Sequence, residues 1–194
     1  MSEDAAETKV ELPTEKPPVS KTQAAVFTVA ALGTGGLWLL SMQPPLLSLV
    51  LFLNLLVLAW YDLTEFRLPN LLTLTLFLAG IAAVIMAPRF AVQDHIIGAT
   101  VGLFLFPTIN WVYRQIRGRD GIGLGDAKLL AGLGLWLGWA ALPFVLLAGS
   151  LLGLLFASLE LLHKDSANNE DLFKKPIPFG LFLAIGGWLA WLFT

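Results

Sequence analysis

Two carboxylates stand out in this sequence because each interrupts the edge of a long apolar run: Asp62 and Asp126. Asp62 follows the run Leu46 to Tyr61 and opens the stretch Asp62-Leu63-Thr64-Glu65-Phe66-Arg67-Leu68-Pro69-Asn70. Asp126 sits in Gly121-Ile122-Gly123-Leu124-Gly125-Asp126-Ala127-Lys128, directly before another apolar run. A carboxylate at such a junction costs free energy unless it faces a partner or a watery cavity. Two carboxylates brought together cannot both ionise, so one serves as a base toward water and the other offers a proton to a carbonyl oxygen or departing amine. The chemistry implied is peptide hydrolysis through activated water, with no metal, covalent intermediate or cofactor required. The structural alternative is a solvated interfacial group or a helix cap, and Asp126, at an expected helix start, suits capping or pairing with the helix dipole. The alternating glycines before Asp126 permit close backbone approach and uncommon backbone angles, enough to admit an extended substrate strand. They would equally serve a flexible loop or close helix packing. With no preceding strand or βαβ unit they are not a dinucleotide fingerprint.

Other reactive constellations fail on type or distance. There are no cysteines, which removes a disulfide scaffold, a thiolate nucleophile and a Cys-based zinc site. A formal net charge of −2 gives no reason to expect nucleic acid as a partner. His95 and His163 are expected on opposite membrane faces, where they cannot share a metal, and each reads as an interfacial residue. Ser150 and His163 lie roughly 20 Å apart along one helix, too far for a serine protease pair. Trp111, Trp136, Trp139, Trp188 and Trp191 read as interface belts or core packing rather than a binding site.

The elements that must position the two aspartates follow from composition. Of the 194 residues, 57% are hydrophobic and 13% charged, about half the charge of a soluble domain, which predicts a bilayer environment. Residues 1–23 mix Glu3, Asp4, Glu7, Glu11 and Glu15 with lysines and prolines and are expected to form a disordered cytoplasmic tail without signal-peptide character. Residues 24–194 then form the membrane domain. Its apolar runs suit helices of about 17 to 25 residues: Ala24 to Met42, Leu46 to Tyr61, Pro69 to Ala87, His95 to Tyr113, Asp126 to Leu142, Pro143 to His163 and Ile177 to Phe193. The fold class is therefore all-α, a polytopic transmembrane bundle of about seven helices, or six if one hairpin is re-entrant; the runs lack the alternation of β-barrel strands. In the seven-helix topology every one of the 12 basic residues except Arg89 falls on one side. The positive-inside bias makes that side the cytoplasm and puts the C-terminus outside. Asp62 then ends the second helix and Asp126 begins the fifth, so both reach the cytoplasmic face. Asp94 and Asp120 read as ordinary loop acids, and Glu160 lies about one turn from the cytoplasmic end of the sixth helix.

With these motifs assembled, the chain resembles the type IV prepilin peptidases, polytopic aspartic proteases of the Gly-x-Gly-Asp type. The stretch from Asp62 to Leu68-Pro69-Asn70 is similar to that family's first motif. Gly123-Leu124-Gly125-Asp126-Ala127-Lys128, running on to Gly138, is similar to the second, and Pro176-Ile177-Pro178-Phe179-Gly180 to the third. The resemblance implies cleavage of the basic leader from prepilins or pseudopilins at the cytoplasmic surface of the inner membrane, commonly after a glycine. It maps the catalytic pair onto Asp62 and Asp126 and active-site support onto Gly123, Gly125, Lys128, Arg67, Pro69, Asn70, Pro178, Phe179 and Gly180. Lys128 would either keep one carboxylate ionised or contact a lipid headgroup. Basic loop residues such as Arg114 would repel a basic leader, so acids such as Glu65, or docking of the substrate helix in lipid, would have to attract it.

Two departures stand against that pattern. Many bacterial members carry an additional cytoplasmic domain with paired cysteines and methylate the new N-terminus; a chain without cysteine or room for that domain is expected to act as a peptidase alone. The third motif often ends in a further proline, where this sequence has Leu181. Presenilin and signal peptide peptidase share a Tyr-Asp and a Gly-Leu-Gly-Asp pair, here Tyr61-Asp62 and Gly123 to Asp126, but their Pro-Ala-Leu motif is missing. A different class of reading is a membrane assembly factor, or a carrier that binds a proton or cation at the two acids. The substrate's identity and the oligomeric state are not encoded in these motifs.

Overall fold

The computed structural model describes residues 21–38, 41–86, 91–118, 123–163 and 178–193. Among them are seven α-helices and no strand: α1 (Lys21–Leu37), α2 (Pro45–Glu65), α3 (Asn70–Met86), α4 (Val92–Arg117), α5 (Leu124–Leu137), α6 (Leu142–His163) and α7 (Phe179–Phe193). A 3-10 turn, Trp139–Ala141, joins α5 to α6. The all-α, seven-helix expectation therefore holds, with shifts at the ends. Helix α2 runs a full turn past Tyr61, so Asp62 lies inside its last turn rather than ending it. Helix α4 continues beyond Tyr113 to Arg117, with Pro107 inside it, so Arg114 is helical rather than in a loop. Helix α5 starts ahead of Asp126 and stops at Leu137, because Gly138 takes a left-handed φ of 78° and turns the chain.

Burial sorts the helices into a centre and a periphery. Helix α5 is buried at every position from Leu129 to Leu137, and α7 at all but a few. At 1.5 Å per residue the 14 residues of α5 extend about 21 Å, short of a hydrocarbon core of about 30 Å. This helix is enclosed by α3, α4 and α7 rather than by lipid. By contrast Pro45–Glu65, Val92–Arg117 and Trp139–Leu159 are long and apolar enough to cross a membrane, and Gln23–Leu37, Asn70–Met86 and Phe179–Phe193 are shorter apolar helices. The outer helices keep large apolar side chains exposed, among them Leu71, Ile85, Leu147 and Leu154, as a lipid-facing surface requires.

Small residues let the central helices meet backbone to backbone. A Cβ on Gly98 of α4 would strike the carbonyl oxygen of Gly134 on α5, and one on Gly134 would strike that of Gly98; a Cβ on Gly102 would come within 2.5 Å of the Leu130 carbonyl oxygen. Tryptophans close the remaining space and satisfy their N–H groups across helices. Trp191 donates to Ser48 Oγ at 2.9 Å, Trp136 to the Leu76 carbonyl at 2.9 Å and Trp188 to the Thr34 carbonyl at 3.0 Å. These three are core residues, while Trp111 and Trp139 are exposed.

Two expectations about single residues need correcting. His95 is not interfacial: it is buried, and its Nδ1–H donates to the Leu135 carbonyl at 2.8 Å, holding α4 on α5. Asp94 is not a loop acid, for it lies in the first turn of α4 and accepts a 3.0 Å bond from Trp139 Nε1. The tail up to Ser20, Arg89, Arg119, Asp120, Lys164, Lys174, Lys175 and the motif residues Gly121, Ile122, Pro176 and Ile177 lie outside the described residues, as do the side chains of Glu160 and His163.

Candidate active site

The site forms where α2 ends and α5 and α7 begin. Helix α2 terminates because Phe66 adopts left-handed angles, φ 51° and ψ 32°, and returns its N–H to the Asp62 carbonyl at 3.0 Å. The chain then turns through Arg67 and Leu68 to Pro69, whose carbonyl accepts the N–H groups of Leu72 and Thr73 at 3.1 Å each and starts α3. Proline supplies the fixed φ that this start needs.

The Asp62 side chain, 6% exposed, points from the last turn of α2 to the first turn of α7. Its Oδ2 accepts the Leu181 N–H at 2.9 Å, and Gly180 abuts the carboxylate. This amide is among those that the first turn of a helix leaves without intrahelical partners, and the positive end of the α7 dipole adds to it. Space, not conformation, dictates glycine at 180. A Cβ there would lie 2.9 Å from Asp62 Oδ2, 3.0 Å from its Cγ and 3.2 Å from Leu68 Cδ1.

Asp126 occupies the first turn of α5, half-buried, and the Asp62 charge acts on its carboxyl group. It is not the helix cap: Gly123 takes that position, and no side-chain cap bond forms. Nor do the two described glycines just before Asp126 bring unusual angles. Gly123 has φ −73° and ψ 141°, and Gly125 lies within the helix. What Gly125 provides is closeness, because a Cβ on it would be 3.3 Å from Leu68 Cβ. Leu68 is thus wedged between the helix that carries Asp126 and the glycine that abuts Asp62.

The remaining residues picked out by sequence divide into two groups. Lys128 Nζ donates to Asn70 Oδ1 at 2.6 Å, tying the start of α3 to α5. Pro178 is buried, and Phe179 packs edge-on against Phe106 of α4, with centroids 6.0 Å apart. Arg67 is exposed, and Gly123 faces open space. Sequence reasoning missed Leu68 as the wedge and Leu181 as a donor. A backbone N–H leaves no mark in a side-chain motif; its trace is the presence of a residue other than proline at 181.

Residues 49–158, which include Asp62, Asp126 and the turn between α2 and α3, match the model of the type IV leader peptidase family. The chain belongs to this family. Three relatives are each described as a prepilin leader peptidase/N-methyltransferase. That of Aeromonas salmonicida (strain A449) is 40% identical over 145 residues, covering 75% of this chain and 48% of the relative. The Pectobacterium carotovorum subsp. carotovorum protein is 37% identical over 162 residues, covering 84% and 56%. That of Dichelobacter nodosus is 36% identical over 146 residues, covering 75% and 48%. The chain therefore spans about half the length of these curated relatives. No solved structure matches it. Family and helix lengths together make it a multi-pass membrane protein.

Proposed function

We propose that this protein is an aspartic endopeptidase of the inner membrane that removes the basic leader from type IV prepilins or pseudopilins, using Asp62 and Asp126 to activate water. The observation that carries this reading is the convergence of the two aspartate-bearing helices on Leu68, which packs against Gly125 beside Asp126 and against Gly180, itself in contact with Asp62. One aspartate is buried at the end of α2 and hydrogen-bonded to α7, the other sits at the start of α5, and they are close enough for one charge to act on the other. Names of the relatives support the substrate class. The distribution of basic residues supports a cytoplasmic active site and N-terminus, and Glu65, exposed one turn beyond Asp62, suits a cationic leader. Absence of cysteine in this chain supports hydrolysis without methylation.

The test is cleavage of a full-length prepilin by the purified protein in detergent. Asp62→Asn and Asp126→Asn, each checked for folding by gel filtration, are expected to lose at least about 100-fold in rate, the scale of one acid or base function. Full cleavage by either variant overturns the two-aspartate mechanism.

A further inference from the structure

The two carboxyl groups have different surroundings. Asp62 is buried, and its Oδ2 accepts the Leu181 N–H from the first turn of α7. Asp126 is half-buried, and burial and the Asp62 charge are what act on it, with no hydrogen-bond donor among them. A buried carboxylate is tolerated as an anion where backbone amides point at it. When two neighbouring carboxyl groups share one proton, it resides on the one without donors.

Resting on the proposed function above, we infer that the Leu181 N–H is a positioning group that holds Asp62 as the water-activating base and leaves Asp126 as the acid. Asp62 takes a proton from water while the water oxygen bonds to the scissile carbonyl carbon. Asp126 gives its proton to the carbonyl oxygen, forming a neutral gem-diol. On collapse the proton held by Asp62 passes to the departing amine nitrogen as the C–N bond breaks. Asp126 recovers its proton from the gem-diol hydroxyl as the carbonyl reforms, so both groups return to their starting states.

Among the described residues of the helices packed against α2, few groups compete as sources of pH dependence. Helices α3 and α7 carry no titratable side chain over their described lengths, and α1 has only Lys21, at its start. From α5 come Asp126 itself and Lys128, which is bonded to Asn70. On α2 and just after it, Tyr61, Glu65 and Arg67 are exposed.

Leu181→Pro deletes the donor at a first-turn position where a helix accepts proline. Leu181→Ala removes nearly the same side chain but keeps the N–H. Weakening support for the anionic base is expected to move the acidic limb of the kcat/KM profile of Leu181→Pro toward higher pH by about one unit. The profile of Leu181→Ala, whatever its rate, keeps the wild-type position. Coincident profiles for all three proteins, or equal shifts in both variants, overturn the inference. If the proline variant does not fold, the α-hydroxy analogue of leucine at 181 replaces the N–H by oxygen without a ring and decides the same question. Asp62→Asn and Asp126→Asn run alongside: full activity in either sinks the peptidase mechanism itself, whereas their inactivity with unshifted profiles at 181 sinks only the division of roles.

Discussion

Replacing Gly180 by alanine tests how closely α7 must approach Asp62. The added Cβ would lie 2.9 Å from Oδ2 and 3.0 Å from Cγ of Asp62, with Leu68 Cδ1 at 3.2 Å. Carbon and oxygen atoms in ordinary contact stay about 3.4 Å apart or more, so the carboxylate must retreat by roughly 0.5 Å, and Leu68 by a smaller amount. That retreat stretches the 2.9 Å bond from the Leu181 N–H toward the limit of a hydrogen bond. A misplacement of about 1 Å costs roughly 100-fold in rate, so half of it predicts a fall in kcat of about 10-fold. Stability moves in the other direction, because alanine in a helix is favoured over glycine by about 0.5–1 kcal/mol, which offsets the local crowding. The assay is prepilin cleavage in detergent beside a thermal melt, with Gly36→Ala as the control, since nothing lies within 4 Å of a Cβ at that position. A Gly180→Ala protein that cleaves within twofold of wild type would show that the close approach of α7 to Asp62 does not matter for catalysis.

Two further predictions concern the scaffold. Gly98→Ala places a Cβ against the Gly134 carbonyl and 2.8 Å from the Trp139 backbone nitrogen; no side-chain rotation relieves either contact, so α4 must lift off α5 at a cost of about 1–3 kcal/mol, read as a lowered melting temperature that Gly36→Ala does not share. Lys128→Ala and Asn70→Ala are each expected to reduce kcat/KM a few-fold, with the double variant no worse than the poorer single; independent, multiplying effects would show that the 2.6 Å bond between them is not what either contributes.

Apolar run lengths and proline positions were enough to count and order the helices, because in hydrocarbon a chain must satisfy its own backbone and a long apolar run has few alternatives to a helix. Their ends were less legible. Helix α2 continues past Tyr61 through Asp62 and Glu65, since the stop is a left-handed Phe66, a conformation that no residue type at that position announces. The aspartates were legible because a carboxylate beside an apolar run demands a reason. What surrounds them was not. Lys128 bonds to Asn70 at the start of α3, and Gly125, just before Asp126, serves packing rather than turning. His95 departs from the expectation for a related reason: a polar side chain near a helix start looks interfacial in one dimension, yet its Nδ1 finds a backbone carbonyl 40 positions away in the core.

The electrostatics of the site follow from where helices begin. A pair of aspartates sharing one proton carries one negative charge in a poorly solvated place, and something must oppose it. Of the cations beside the site in the described residues, Lys128 is bonded to Asn70 and Arg67 is exposed. Asp126 lies in the first turn of α5, and Asp62 accepts the Leu181 amide in the first turn of α7. Two helix N-termini thus converge on the pair, and the positive ends of their dipoles supply fixed potential that cannot be deprotonated or drift away on a flexible stem. Such backbone charge also requires the two short central helices to start at the same level as the end of α2. That alignment depends on the glycine crossing of α4 with α5 and on Leu68 wedged between Gly125 and Gly180. Packing in the middle of the bundle is therefore part of the site's electrostatics, which is why substitutions at Gly98 and Gly180, neither of them a titratable residue, are expected to be felt at the aspartates.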